Sequence, residues 1–371
     1  MIETGAVIGT ILWLIVLILP WQPWRTRERL DASTEEPLPD LSDTTALIPA
    51  RDEAAGISAV VEGLKEQGAG LRIVVIDDGS TDGTGDRARV AGAEVIAGSN
   101  LPEGWSGKLW ALEQGRQTAS TPYLLLLDAD ILLQPGTIAA LRRRAEAEGA
   151  QMVSVMARLR MEGIWERLLL PAFIYFFKLL YPFRLANGPS RWVAAAAGGC
   201  VLVETRCLGA IGGFGALRGA IIDDCTLARR VKAAGFRTWI GLTHAAVSLR
   251  PYPRLGDIWT MVARTAYPQL RFSVALLLLC TLMMAAAFWA PTAAALSFSG
   301  HLSWVGFAGW LAMAAAYVPT LRYYGLSPLW AVTMPLIGTL YLAMTWTSAI
   351  NHWRGRGNAW KGRHYGSEAR G

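Results

Sequence analysis

Four short stretches carry side chains that could handle a phosphate-bearing substrate. In the run from Val74 to Thr84, an apolar segment ends in Asp77 and Asp78, followed by Gly79, Ser80, Thr81, Asp82 and Gly83. A buried strand would deliver two adjacent carboxylates to its carboxyl end, and the glycines would let the chain turn sharply. An Asp-rich turn is the plainer reading, but the run is longer than a turn requires. Leu124 to Leu127 is an unbroken run of leucine leading directly into Asp128-Ala129-Asp130. Carboxylates two apart on an extended chain point the same way. Such a pair can hold a hard divalent cation that also bridges phosphate oxygens. Asp223 and Asp224 open a helical pattern, where one acidic residue would suffice as a cap and a second is a candidate general base. Ahead of all these, Pro49, Arg51 and Glu53 follow an apolar strand pattern, an arrangement that turn and cap chemistry could also produce.

Other chemistries find little support. No GxSxG elbow is present, and His244, His301, His352 and His364 lie far in sequence from any Ser or Cys constellation. Cys200, Cys207, Cys225 and Cys280 form no CxxC pair, which argues against a zinc site or a disulfide framework.

The elements that must position the carboxylates are short aliphatic runs at 45–48, 71–76, 93–96, 123–127 and 152–157, separated by helix-sized stretches. That alternation predicts an α/β domain with a mostly parallel sheet over residues 44–255, whose ligands bind where strands end in loops. The composition adds a membrane: 53% of residues are hydrophobic, only 17% are charged, and the mean hydropathy is +0.30. Residues 6–20 are apolar and uncharged and are followed by Trp21, Trp24, Arg25, Arg27 and Arg29. Residues 1–24 therefore read as an anchor with a cytosolic C-terminal end, rather than a cleaved signal peptide. The acidic, Pro-containing stretch 25–43 reads as a linker. Three further apolar segments, approximately 272–290, 303–318 and 329–350, fall in a C-terminal membrane region spanning 256–350. Three crossings from a cytosolic domain would leave the tail 351–371 outside, although that tail is strongly basic. The third segment contains Pro335, Thr345, Thr347 and Ser348, so one segment is expected to re-enter or lie in the interface. The net charge of +6 is concentrated in this tail. It therefore favours an anionic lipid surface and no nucleic acid.

Taken in order, these four constellations resemble a membrane-bound family 2 glycosyltransferase of the GT-A fold, a Rossmann-like nucleotide-diphospho-sugar transferase. Within that family the chain is most similar to the hopene-associated subfamily, through Pro102-Glu103-Gly104-Trp105-Ser106-Gly107-Lys108 and the tail's Trp353-Arg354-Gly355-Arg356-Gly357. The resemblance implies that Pro49, Arg51 and Glu53 line the nucleotide pocket. It places Asp78, with Asp77 beside it, on the base or ribose, and Lys108 on the diphosphate. Asp130 and Asp128 would hold Mg2+ or Mn2+ there. Asp224 would be the catalytic base, with Asp223 and Arg264 in auxiliary positions towards the acceptor. The implied reaction moves one sugar, with inversion, from a nucleotide-diphosphate sugar (UDP-linked by preference) to a membrane lipid alcohol such as a hopanoid. Ceramide, a carotenoid acid, polyprenyl phosphate and polysaccharide are the alternative acceptors, and a non-catalytic nucleotide-sugar-binding scaffold is the alternative from another class. The implied location is a multi-pass protein of the cell inner membrane with a cytoplasmic catalytic domain. The family often has Glu-Asp where this chain has Asp223-Asp224. Of the Q/R-x-x-R-W element only Arg264 is matched, in Met261-Val262-Ala263-Arg264-Thr265, which disfavours chain elongation.

Residues 164–185 mix Trp165, Phe173, Tyr175, Phe176, Phe177, Tyr181 and Phe183 with Arg167, Lys178 and Arg184. The uncharged run 168–177 is too short to span a bilayer. The composition suits an in-plane interfacial helix that docks the domain on the cytosolic leaflet. A core helix of the catalytic domain is the other expectation.

Overall fold

The computed structural model describes residues 2–33, 39–220, 222–298 and 300–355, and the backbone of 359–360 and 363–364. Residues 34–38 of the expected linker, Ile221 and most of the basic tail lie outside the described residues.

The elements run in chain order as α1 (Ile2–Ile18), β1 (Thr44–Ala50), α2 (Ile57–Lys65), β2 (Arg72–Asp77), α3 (Thr84–Ala91), β3 (Glu94–Ala97), α4 (Gly107–Thr118), β4 (Tyr123–Leu127), β5 (Ile131–Leu133), α5 (Thr137–Glu148) and β6 (Met152–Arg158). They continue as α6 (Ile164–Leu180), α7 (Phe183–Ala186), β7 (Cys200–Glu204), α8 (Thr205–Ala210), α9 (Asp223–Ala233), β8 (Thr238–Ser248), α10 (Leu255–Gln269), α11 (Val274–Met284), α12 (Ala290–Ala295), α13 (His301–Tyr323) and α14 (Met334–Trp353). By contact the chain forms two compact units. One comprises residues 28–160, 185–251 and 359–371, and the other residues 1–27, 161–184 and 252–358.

In the first unit, eight strands form one sheet in the order β3-β2-β1-β4-β7-β6-β8-β5. The pairs β2/β3, β1/β2, β1/β4 and β6/β8 are parallel, whereas β4/β7, β6/β7 and β5/β8 are antiparallel. The four-leucine strand shows why the sheet needs helices on both faces. Leu125 and Leu127 enter a core with Ile57, Val60, Ile138 and Leu141 from α2 and α5. Leu124 and Leu126 enter a second core with Leu109 and Leu112 of α4 and Leu227 and Val231 of α9. A strand covered on both sides reads as a continuous apolar run because neither set of alternate side chains meets water.

Strands β1, β2, β3, β4 and β6 fall where the aliphatic runs place them. The aliphatic runs did not mark the three-residue β5, nor β7, nor the eleven-residue β8. The longer β8 proves important, because its end carries a residue of the site.

In the second unit, Val274–Ala295, His301–Tyr323 and Pro328–Trp353 are each long and apolar enough to cross a membrane, while Glu3–Ile18 is a shorter apolar helix. Val274–Ala295 is interrupted by a π turn at Ala285–Trp289. Helix α6 belongs to this unit. Its Tyr175 ring packs edge-on against Tyr317 of α13, and Phe176 packs against Phe288 and Tyr341. The Tyr341 hydroxyl donates to the Leu169 carbonyl at 2.8 Å. Phe176 is therefore a packing residue among helices, while Ile164 and Leu180 near the ends of α6 remain 66% and 64% exposed.

Candidate active site

The carboxyl edge of the sheet gathers the residues singled out above, because parallel strands β1, β2 and β4 all end there. The chain leaves β1 at Ala50, and Pro49 itself is buried within the strand opposite Ile76. A proline is tolerated in such a strand only where its missing N–H is not needed. Arg51 is the first side chain beyond the strand. It donates through Nη1 to the Asp78 carbonyl at 2.6 Å and lies 3.8 Å from the Asp78 carboxylate. Asp78 is 4% exposed. Asp77, the last residue of β2, accepts from the Ser80 N–H at 2.9 Å and so shapes its own turn. Asp52, at φ 50°, accepts from the Thr81 N–H at 2.9 Å, which ties the two loops together.

Glu53 faces a residue almost two hundred positions away. Arg250, two residues beyond the end of β8, donates from Nη2 to Glu53 Oε1 at 2.8 Å. Its Nε lies 3.0 Å from Asp130 Oδ2. Burial pushes the Asp130 carboxyl above its ordinary range, the Arg250 guanidinium opposes the rise, and Asp128 and Glu53 add to it. On the other side of the DxD triplet, Asp128 Oδ1 pairs with Lys108 Nζ at 2.5 Å. Lys108 is the second residue of α4, whose N-terminus is capped by Ser106 accepting from the Leu109 N–H at 3.3 Å. Burial alone would pull the Lys108 ammonium down, but the carboxylates of Asp128, Asp223 and Asp224 outweigh it and raise the group above its usual value.

Asp224 completes the set. One oxygen, Oδ2, accepts from the Gly198 N–H at 3.0 Å, and the other, Oδ1, from the Cys225 N–H at 2.7 Å. Its own N–H donates to Asp223 Oδ1 at 3.0 Å. Burial, then the neighbouring Asp223 charge, pushes Asp224 up to about 6, against the opposing pull of the Cys225 N–H, Lys108 and the Gly198 N–H. A carboxylate so poised can accept a proton near neutral pH, as a general base must. A side chain at Gly198 would bring Cβ to 3.3 Å from Asp224 Oδ2 and 3.5 Å from Lys108 Nζ, so glycine lets the chain pass between Asp224 and Lys108. Lys108, Gly198, Asp223 and Asp224 line one pocket, floored by Leu126 and Phe214.

The edge thus holds three sets of contacts: Arg51 with Asp78, Arg250 with both Glu53 and Asp130, and Lys108 with Asp128 and Gly198, whose N–H in turn reaches Asp224. Arg264 is exposed on α10, in the helical unit. His244, within β8, lies 3.6 Å from Asp31. Arg250 and Gly198 are the members that sequence reasoning missed. Arg250 would have been found had the strand been extended through His244-Ala245-Ala246-Val247-Ser248, an apolar run broken only by the histidine and closing serine.

A divalent cation fits the donor set in a limited way. Among the described residues no three His, Cys, Asp or Glu side chains converge to form a cage. Asp128 and Asp130 supply two carboxylates, the usual protein share when Mg2+ arrives with substrate phosphates and water.

The curled α/β sheet, with acidic loops at its carboxyl edge, defines a GT-A-like fold of the nucleotide-sugar transferase class. The chain belongs to glycosyltransferase family 2: the family described as "Glycosyltransferase like family 2" matches residues 39–273. Over 107 residues the chain is 34% identical to 4,4'-diaponeurosporenoate glycosyltransferase of Staphylococcus aureus strain MRSA252, covering 28% of each protein. The same enzyme from strain USA300 is 36% identical over 88 residues, covering 24% of each. The matched portion is thus about a quarter of these curated relatives' length. Among solved structures, mannosyltransferase PcManGT from Pyrobaculum calidifontis, in complex with GDP-Man and Mn2+, superposes with a TM-score of 0.55. Its identity is 17%, with 94% of this chain and 99% of that chain covered, a likeness of fold.

Proposed function

We propose that the protein is an inverting, metal-assisted transferase that moves one sugar from a nucleotide-diphosphate sugar, UDP-linked, to the hydroxyl of a membrane lipid alcohol such as a hopanoid. The observation that carries this reading is the juxtaposition of Asp224 and Lys108 across Gly198, a base and a cation facing one pocket. In this reading Arg51 and Asp78 bind the nucleoside, and Lys108 neutralises the departing diphosphate. Asp128 and Asp130 would hold Mg2+ or Mn2+, which when bound supplies Lewis-acid stabilisation of charge on the diphosphate. Asp224 takes the proton of the acceptor hydroxyl as that oxygen bonds to the anomeric carbon. The bond from that carbon to the diphosphate oxygen breaks, and its electron pair leaves with the nucleoside diphosphate. Attack opposite the leaving group inverts the centre and requires no protein nucleophile.

The apolar helices favour a membrane-embedded protein and, with it, a lipid acceptor; Arg25, Arg27 and Arg29 after the first apolar stretch favour the cytoplasmic face of the inner membrane for the sheet unit. The partial similarity to a 4,4'-diaponeurosporenoate glycosyltransferase favours that compound as the second acceptor to test. The deciding experiment measures nucleoside diphosphate released by the full-length protein in lipid nanodiscs, supplied with UDP-sugars, Mn2+ and candidate lipids. Asp224→Asn should lower turnover by roughly 10²–10⁴, the usual contribution of a general base. Undiminished release by that variant would refute the assignment.

A further inference from the structure

The direction of each helix in the apolar unit can be followed from side-chain contacts. Tyr267, near the end of α10, donates its N–H to Ser348 Oγ at 3.0 Å and places its ring against His352 and Trp353. Phe272, just before α11, stacks on His352 at 4.5 Å. Further along, the Trp346 indole N–H donates to Thr281 Oγ1 at 3.0 Å and that of Trp289 to Thr339 Oγ1 at 2.8 Å. The start of α11 therefore meets the end of α14, and the π turn meets the start of α14, so the two run antiparallel.

Helix α13 is also antiparallel to α11 and α12. Its Gly306 lies against Pro291, Ala294 and Ala295, and its Gly309 against Pro291. Three successive spans alternating in direction would make α14 parallel to α11 and would leave Trp353 beside residues 295–301. The rise across Val274–Ala295 alone, 22 residues, is about 33 Å. Trp353 instead packs on Tyr267.

The connection explains how. After Tyr323 the chain turns at Gly325, at φ 69°. A 3-10 segment, Pro328–Thr333, then runs back along α13, so that the Trp310 indole N–H donates to the Val332 carbonyl at 3.2 Å. From Arg322 back to Trp310 is roughly 18 Å of helix. Leu329 and Val332 on this limb are 78% and 53% exposed, as residues facing lipid would be.

We infer that Pro328–Trp353 is a re-entrant hairpin that brings the chain at Arg354 back to the side from which α11 enters the membrane. The charges agree with this path. Helix α1 runs parallel to α13, with Glu3 3.6 Å from His301 and Thr10 Oγ1 donating to the Val305 carbonyl. Arg25 beyond α1, Arg271 before α11, Arg322 at the end of α13 and Arg354 after α14 therefore share one end. The opposite end carries Glu3 and His301, and residues 272–321 contain no Lys or Arg. Such a distribution places the arginine end in the cytoplasm.

This inference rests on the membrane reading above and is independent of sugar transfer. It is tested in the full chain, in sealed right-side-out vesicles, with Ser297→Cys, Ser327→Cys and Ser367→Cys made separately and a membrane-impermeant maleimide as probe. Wild type, with Cys200, Cys207 and Cys225 buried, sets the background. Ser297→Cys should label in intact vesicles, whereas Ser327→Cys and Ser367→Cys should label only after lysis. Labelling of Ser367→Cys from the same side as Ser297→Cys would overturn the hairpin in favour of a third crossing. Release of the chain from vesicles by alkaline carbonate would overturn the membrane reading and the hairpin with it, whatever the transferase activity.

Discussion

The raised Asp224 carboxyl makes the pH dependence of the reaction the sharpest probe of the site. A base is active only when ionised, so a group titrating near 6 gives a rate that is low in acid and rises to a plateau above neutrality. From that value, about nine-tenths of the protein is competent at pH 7 and about one-tenth at pH 5, a roughly tenfold fall in kcat/KM. The structure also says how the limb should move. After burial, the nearby Asp223 charge is the main cause that raises Asp224. Asp223→Asn removes that charge but keeps an oxygen to accept the Asp224 N–H, which is bonded at 3.0 Å in the native chain. Its rising limb should shift to lower pH, with the plateau preserved. The assay is initial-rate release of nucleoside diphosphate between pH 4.5 and 8 at saturating Mn2+, a range chosen to bracket about two decades of ionisation. A limb that stays in place or moves upward in Asp223→Asn would refute the electrostatic account, and a wild-type rate flat through pH 6 would remove Asp224 as the base.

Three other perturbations test the surrounding structure. Gly198→Ala sets a methyl group 3.3 Å from Asp224 Oδ2 and should lower turnover by on the order of tenfold or more with little change in melting temperature, since small misplacements of a base are costly. Arg250→Met removes the cation bridging Glu53 and Asp130, both of them partly accessible. It should destabilise the sheet unit by about 1–2 kcal/mol, read as a lower melting temperature in detergent, and an unchanged melt would show the bridge to be energetically idle. Phe176→Ala withdraws a ring packed between Phe288 and Tyr341 and should cost on the order of 1–3 kcal/mol of thermal stability in the helical unit. For the same reason, loss of activity in a charged variant at Phe176 would report damaged helix packing as much as altered lipid contact.

What the sequence alone determined is whatever depends on neighbours along the chain. The four leucines before Asp128 announce a strand covered on both faces, because alternate side chains must all find apolar company, and they deliver the DxD triplet to the strand's end. The apolar stretches near the C-terminus are equally local, since length and hydropathy suffice to mark them. Tertiary structure decided what joins across the chain. Which cation meets which carboxylate depends on strand order: antiparallel β7 brings Gly198 beside Asp224, and parallel β6/β8 pairing, with β8 running on to Ser248, brings Arg250 to Glu53 and Asp130. The direction of α14 likewise follows from its partners on α10 and α11, because an apolar helix of a given length has the same composition whether it crosses or returns.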